Sequence, residues 1–86
     1  MEIAYTQKAK EDIAFWKISG NKKVMSKISD LLVSIEASPF QGIGKPEALK
    51  HQLAGYWSRR INLEHRLVYK VENSKIVAHS LYGHYQ

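Results

Sequence analysis

The chain has no cysteine. No disulfide can staple it, no thiolate can bind a metal or attack a substrate, and the absence suits a reducing compartment. Long apolar runs are missing as well. Consecutive apolar residues come only a few at a time, against the roughly 20 that a membrane helix requires, and the start MEIAYTQKAKED carries an acid at position 2 with no apolar stretch of the kind a signal peptide needs. A cytoplasmic protein with no membrane attachment is expected. Metal-binding patterns are absent too. Four histidines without HxH or HExxH spacing, in a chain lacking cysteine, disfavour a metal site, so chemistry without a cofactor is expected. Acidic residues are scarce: 8 Asp and Glu against 13 Lys and Arg give a net charge of +5. That balance favours a polyanionic partner such as nucleic acid without demanding one.

What is present reads as one domain over residues 1–86. Its 44% apolar and 24% charged residues are ordinary for a folded globular chain. EIAYT at 2–6 suits a short strand. In QKAKEDIAFWKISG, Ala9, Ile13 and Trp16 recur at helical spacing, and Gly20 supplies a stop. A second helix is clearer, because Val24, Ile28, Leu31, Leu32 and Ile35 fall at i, i+4, i+7, i+8 and i+11, and Ser38-Pro39 ends it. FQGIGKPEALKHQLAG then reads as a loop with room for one helical turn at 46–50. Beyond it the period drops to 2. YWSRRI, HRLVYKV and KIVAHSLY are strand-like and are broken at 62–64 and 72–74, which makes an antiparallel meander. The expected class is α+β, ordered β-α-α-β-β-β, with a helical hairpin on one face of an antiparallel sheet and the other face free for work.

Groups capable of chemistry crowd the second half. Glu47, Lys50 and His51 lie in the loop, Arg59, Arg60, His65 and Arg66 on or between strands, and His84 with Tyr85 at the end. Adjacent meander strands can bring such residues onto one face. Bland readings stand beside these. Pro46-Glu47 is also ordinary helix-start chemistry. Arg59 and Arg60 point to opposite faces, so one of them is expected to be a solvated surface group. His51, His65 and His79 are more readily structural or exposed than catalytic. Tyr56, Trp57, Tyr69, Tyr82 and Tyr85 could stack on unpaired bases, although several must fill the core.

GKPEALKHQLAGYWSRRINLEHRLVYKV, followed by a terminal His-Tyr, closely resembles the YoeB/Txe family of bacterial toxins within the RelE superfamily. The resemblance rests on the Gly-Lys-Pro-Glu-x-Leu-Lys loop, the Trp-Ser-Arg-Arg-Ile strand, the Glu-His-Arg-Leu-Val-Tyr strand and the tail, and it spans about the whole chain. It implies a RelE-like fold and a ribosome-dependent, metal-independent endoribonuclease that cuts mRNA in the A site. By the same resemblance, Glu47 would be the general base, Arg66 the group that steadies the scissile phosphate, and His84 the general acid. Lys50, His51, Arg60 and Tyr85 would be supporting contacts to RNA. The implied partners are a YefM/Axe-type antitoxin, mRNA and the ribosomal RNA around it, operator DNA only through the antitoxin complex, and a second copy in a homodimer. Two other classes fit more loosely: a ParE-like inhibitor of gyrase on the same fold, and a nucleic-acid-binding module without catalysis. At the tail the chain departs from the family pattern, with Gly83 where an aromatic is usual and Gln86 added, and a glycine there is expected to loosen the backbone.

Overall fold

The computed structural model describes residues 1–83. Strand β1 (Glu2–Tyr5) runs into helix α1 (Gln7–Ser19) through Thr6, whose hydroxyl accepts from the Ala9 N–H at 3.1 Å. The same hydroxyl donates to the His79 carbonyl at 2.8 Å, so one side chain both caps the helix and ties its start to the sheet. Gly20, left-handed at φ +72°, closes α1. Asn21 caps helix α2 (Lys22–Ala37) by accepting from the Val24 N–H at 3.1 Å. The two helices form the expected hairpin.

Strands β2 (Glu47–Ala48), β3 (Trp57–Arg60), β4 (Arg66–Glu72) and β5 (Lys75–Ser80) follow, and the sheet is ordered β1-β5-β4-β3-β2. The α+β class and the order of the main elements are as expected; three details differ. The sheet is mixed rather than wholly antiparallel, because β1 pairs in parallel with β5 from Glu2 opposite Lys75 to Tyr5 opposite Ala78. Alternation from β3 through β4 sets β5 in the same direction as β3, and β1 runs in that direction too. Residues 46–50 carry no helical turn. Glu47 and Ala48 are instead pulled into the sheet opposite Ser58 and Trp57, and a 3₁₀ turn comes later at His51–Leu53. Arg59, one of the two arginines of which one was expected to be solvated, is fully buried.

The core lies between the helices and one sheet face. Ala9, Trp16, Val24, Ile28, Leu31 and Ile35 pack on Leu67, Tyr69, Ile76, Ala78 and Leu81. Each large apolar side chain removed from water there stabilises the fold by about 1.5–3 kcal/mol. Alternation along the strands turns Ser58, Arg60 and Arg66 to the opposite face, away from Arg59 and Leu67.

Candidate active site

Glu47 and Arg66 meet on that open face. Glu47 sits on β2 opposite Ser58 of β3, and Ser58 in turn sits opposite Val68 of β4. This register brings Arg66 Nη1 to 3.3 Å from Glu47 Oε1 and 3.3 Å from Ser58 Oγ. The carboxylate is 63% exposed and the guanidinium 21%. An ion pair this long and wet contributes no more than about 1 kcal/mol. It therefore does little to hold the sheet together, and both groups stay open to a ligand.

Two depressions flank the pair. One, of about 380 Å³, is lined by Glu47, Ala48, Leu49, Lys50, His51, Leu53 and Arg66. The other, about 220 Å³, is lined by Lys45, Pro46, Glu47, Arg60 and Arg66. Glu47 and Arg66 thus form a shared ridge with Lys50 and His51 to one side and Arg60 to the other. One carboxylate stands among four permanent cations, an arrangement suited to moving a proton beside bound phosphates. Among the described residues, no three His, Asp or Glu side chains converge as metal ligands.

Five of the seven expected site residues are brought together in this way; His84 and Tyr85 lie outside the described residues. The helix-start reading of Glu47 falls, because no helix starts there. Lys45 and Ser58 were missed. The period-2 alternation that puts Ser58 on the face of Arg60 was a usable signal, whereas Lys45 reaches the site by a loop path that no period encodes.

The segment leading to His84 is tightly held. Leu81 N–H donates to Asp12 Oδ2 at 2.8 Å, and Trp16 Nε1 donates to the Leu81 carbonyl at 2.8 Å. Gly83 N–H donates to His65 Nδ1 at 2.9 Å, and its carbonyl accepts from the Arg66 N–H at 2.8 Å. Gly83 is left-handed at φ +84°. Glycine is used there for a turn that other residues adopt only with strain, not for looseness.

A helical hairpin on a mixed five-stranded sheet, with a basic open face around one carboxylate, is the RelE-like toxin architecture. Within that class the chain belongs to the family described as "YoeB-like toxin of bacterial type II toxin-antitoxin system", which it matches over residues 5–85. It is 46% identical over 86 residues to Toxin YoeB of Synechocystis, covering 100% of this chain and 99% of that protein. It superimposes on a YoeB/ParE toxin from Agrobacterium tumefaciens with a TM-score of 0.93 at 40% identity, covering 99% and 100% of the two chains. A YoeB–YefM heterotetramer from Staphylococcus aureus gives 0.87 at 45% identity, covering 99% and 98%, and a YoeB dimer from the same organism gives 0.88 with the same identity and coverage.

Proposed function

We propose that this chain is a ribosome-dependent endoribonuclease that cleaves mRNA in the A site without a metal and so stops translation. The observation that carries the reading is the Glu47–Arg66 ridge between two basic depressions, with the Gly83 carbonyl held by the backbone N–H of Arg66. RNA supplies its own nucleophile. Glu47 takes the proton of a ribose 2′-hydroxyl, and the 2′-oxygen attacks the adjacent phosphorus. Arg66 steadies the charge that builds on the non-bridging oxygens, and His84 protonates the departing 5′-oxygen. The products are a 2′,3′-cyclic phosphate and a 5′-hydroxyl. Lys50, His51 and Arg60 bind flanking phosphates, and Tyr85 stacks on a base.

The partner that silences it is a YefM-type antitoxin. An acidic segment that orders on binding would cover the basic face. Operator DNA is reached through that complex, the free toxin forms a homodimer, and the setting is the cytoplasm.

The test is 5′-end mapping of cellular RNA after brief expression of wild type, Glu47→Gln and His84→Ala. Cuts in register with codons are expected with wild type. They should fall about 10²–10⁴-fold in each variant, the range for losing one acid or base. Growth arrest that survives both substitutions with no codon-phased cuts would overturn the nuclease in favour of a ParE-like target.

A further inference from the structure

His65 precedes β4 and is no part of the groove, yet the structure gives it three constraints. Its ring meets Trp16 edge-on at 4.9 Å and leans on Tyr82 at 4.6 Å. Its backbone is pinned by the Asn62 side chain, which accepts from the His65 N–H at 2.8 Å, and by the Ile61 N–H, which donates to the His65 carbonyl at 2.9 Å. The nitrogen left facing the tail, Nδ1, accepts the Gly83 N–H at 2.9 Å.

An acceptor at Nδ1 requires the proton to sit on Nε2, so the ring is held in one tautomer as well as one orientation. Consecutive residues then grip both ends of Gly83. The side chain of His65 takes its N–H, and the backbone of Arg66 takes its carbonyl. That carbonyl carbon is bonded to the nitrogen of residue 84. Packing alone would have been met by any flat ring at position 65; the hydrogen bond is met only by an acceptor at the Nδ1 place.

We infer that His65 is a positioning residue, whose Nδ1 anchors the Gly83 peptide from which the chain continues into residue 84. The inference deepens the proposed nuclease reading and rests on it for the role of His84.

Two substitutions separate positioning from packing. His65→Phe keeps the ring against Trp16 and Tyr82 but removes the acceptor. His65→Asn loses the ring and places Oδ1 close to where Nδ1 was. A packing role ranks Phe above Asn; positioning ranks Asn above Phe. Single-turnover cleavage of mRNA on purified ribosomes should show the maximal rate constant about 10- to 100-fold down for His65→Phe with the half-saturating toxin concentration unchanged, and most of that rate restored in His65→Asn. In a His84→Ala background, His65→Phe should cost nothing further, since the two act as one unit. Phe equal to or above Asn, or a full additional loss in the His84→Ala background, would overturn the assignment. Hydrogen exchange of the Gly83 amide reads the anchor without any cleavage: protection should survive in His65→Asn and vanish in His65→Phe, and protection that persists in His65→Phe overturns the anchor. Silence of the wild type in the cleavage assay would instead count against the nuclease reading and take the role of His84 with it, leaving the exchange result to decide the anchor.

Discussion

A buried guanidinium in a domain of this size is costly unless each N–H finds an acceptor, and Arg59 finds them all without a carboxylate. Nε donates to Tyr69 Oη at 3.1 Å; Nη1 donates to Ser34 Oγ at 2.7 Å and the Ile43 carbonyl at 3.2 Å; Nη2 donates to the carbonyls of Ser38 and Gln41 at 2.7 and 2.8 Å. The side chain thus stitches α2, the following loop and β4 together from below the site. Tyr69 completes the arrangement by donating to the Pro39 carbonyl, which a phenolate cannot do. Burial pushes the Tyr69 phenol above its ordinary value near 10, and the Arg59 charge pulls the other way without cancelling it. A folded-state value raised above the unfolded one means stability that is whole below about pH 10 and lost as pH climbs through the folded value, because the unfolded chain gives up its proton first. Urea midpoints measured from pH 8 to pH 11 should therefore fall at the alkaline end. Tyr69→Phe should be less stable at pH 8 and show a shallower alkaline fall; an equally steep fall in that variant would assign the titration to other groups.

At the scale of elements, the loop between α2 and β2 decides where Glu47 goes. Gly44 is left-handed at φ +82°, and its carbonyl accepts from the Arg60 N–H at 2.7 Å, which pins the loop to the end of β3. A Cβ there would lie 2.6 Å from Leu31 Cδ2 and 3.1 Å from Arg59 Cβ. Gly44→Ala should cost roughly 2–4 kcal/mol, combining the left-handed penalty with overpacking, and cleavage should fall as the loop shifts. Gly20→Ala is the control, since it shares the positive φ and meets nothing within 4 Å. Its loss in urea denaturation should be only about 1–2 kcal/mol with cleavage retained, and equal losses in the two variants would remove the steric account. Elements of this kind mark the limit of what the residues reveal in order. Helix α2 was legible because Val24, Ile28, Leu31 and Ile35 repeat at the helical period and all four are buried. The strands β3 to β5 were legible for the same reason at period 2. Strand β2 was not, because its two residues are extended only by pairing with Ser58 and Trp57, and Pro46-Glu47 by itself favours a helix start. Alternation correctly separated Arg59 from Arg60, but no local signal says which face a distant loop will cover. Glu47, Arg66, Lys50, His51 and Arg60 were legible through the family resemblance. The tail-holding roles of Asp12, Trp16 and His65 depend on contacts across more than 15 positions in sequence and had no local trace.

Over the whole molecule, the charge of +5 is not spread evenly. A third depression, about 450 Å³, is lined by Lys23 and Lys27 of α2 together with Gly44, Lys45, Arg60, Ile61, Asn62 and Leu63. It shares Lys45 and Arg60 with the depression at Glu47 and Arg66, so one basic strip runs from α2 to the site. Among the described residues, the ion pairs are Lys8–Asp12, Arg66–Glu47 and Lys70–Glu72, none of which engages Lys23, Lys27, Lys45, Lys50 or Arg60. A strand of RNA laid along the strip releases the counterions of the phosphates these cations meet. The logarithm of the binding constant then falls with the logarithm of salt at about 0.7 per phosphate neutralised for single strands. Five contacts predict a slope near −3.5 by that rule. Binding of single-stranded RNA to the Glu47→Gln variant, titrated from low to high salt, measures it, with Arg66, freed there from its ion pair, steepening the slope by about 0.7. In that background Lys23→Ala with Lys27→Ala should flatten the slope by about 1.4, by the same 0.7 for each cation removed, and weaken all sequences alike, since phosphate contacts carry no base information. An unchanged slope would mean that RNA leaves the site by another path and that the lysines of α2 serve a different partner.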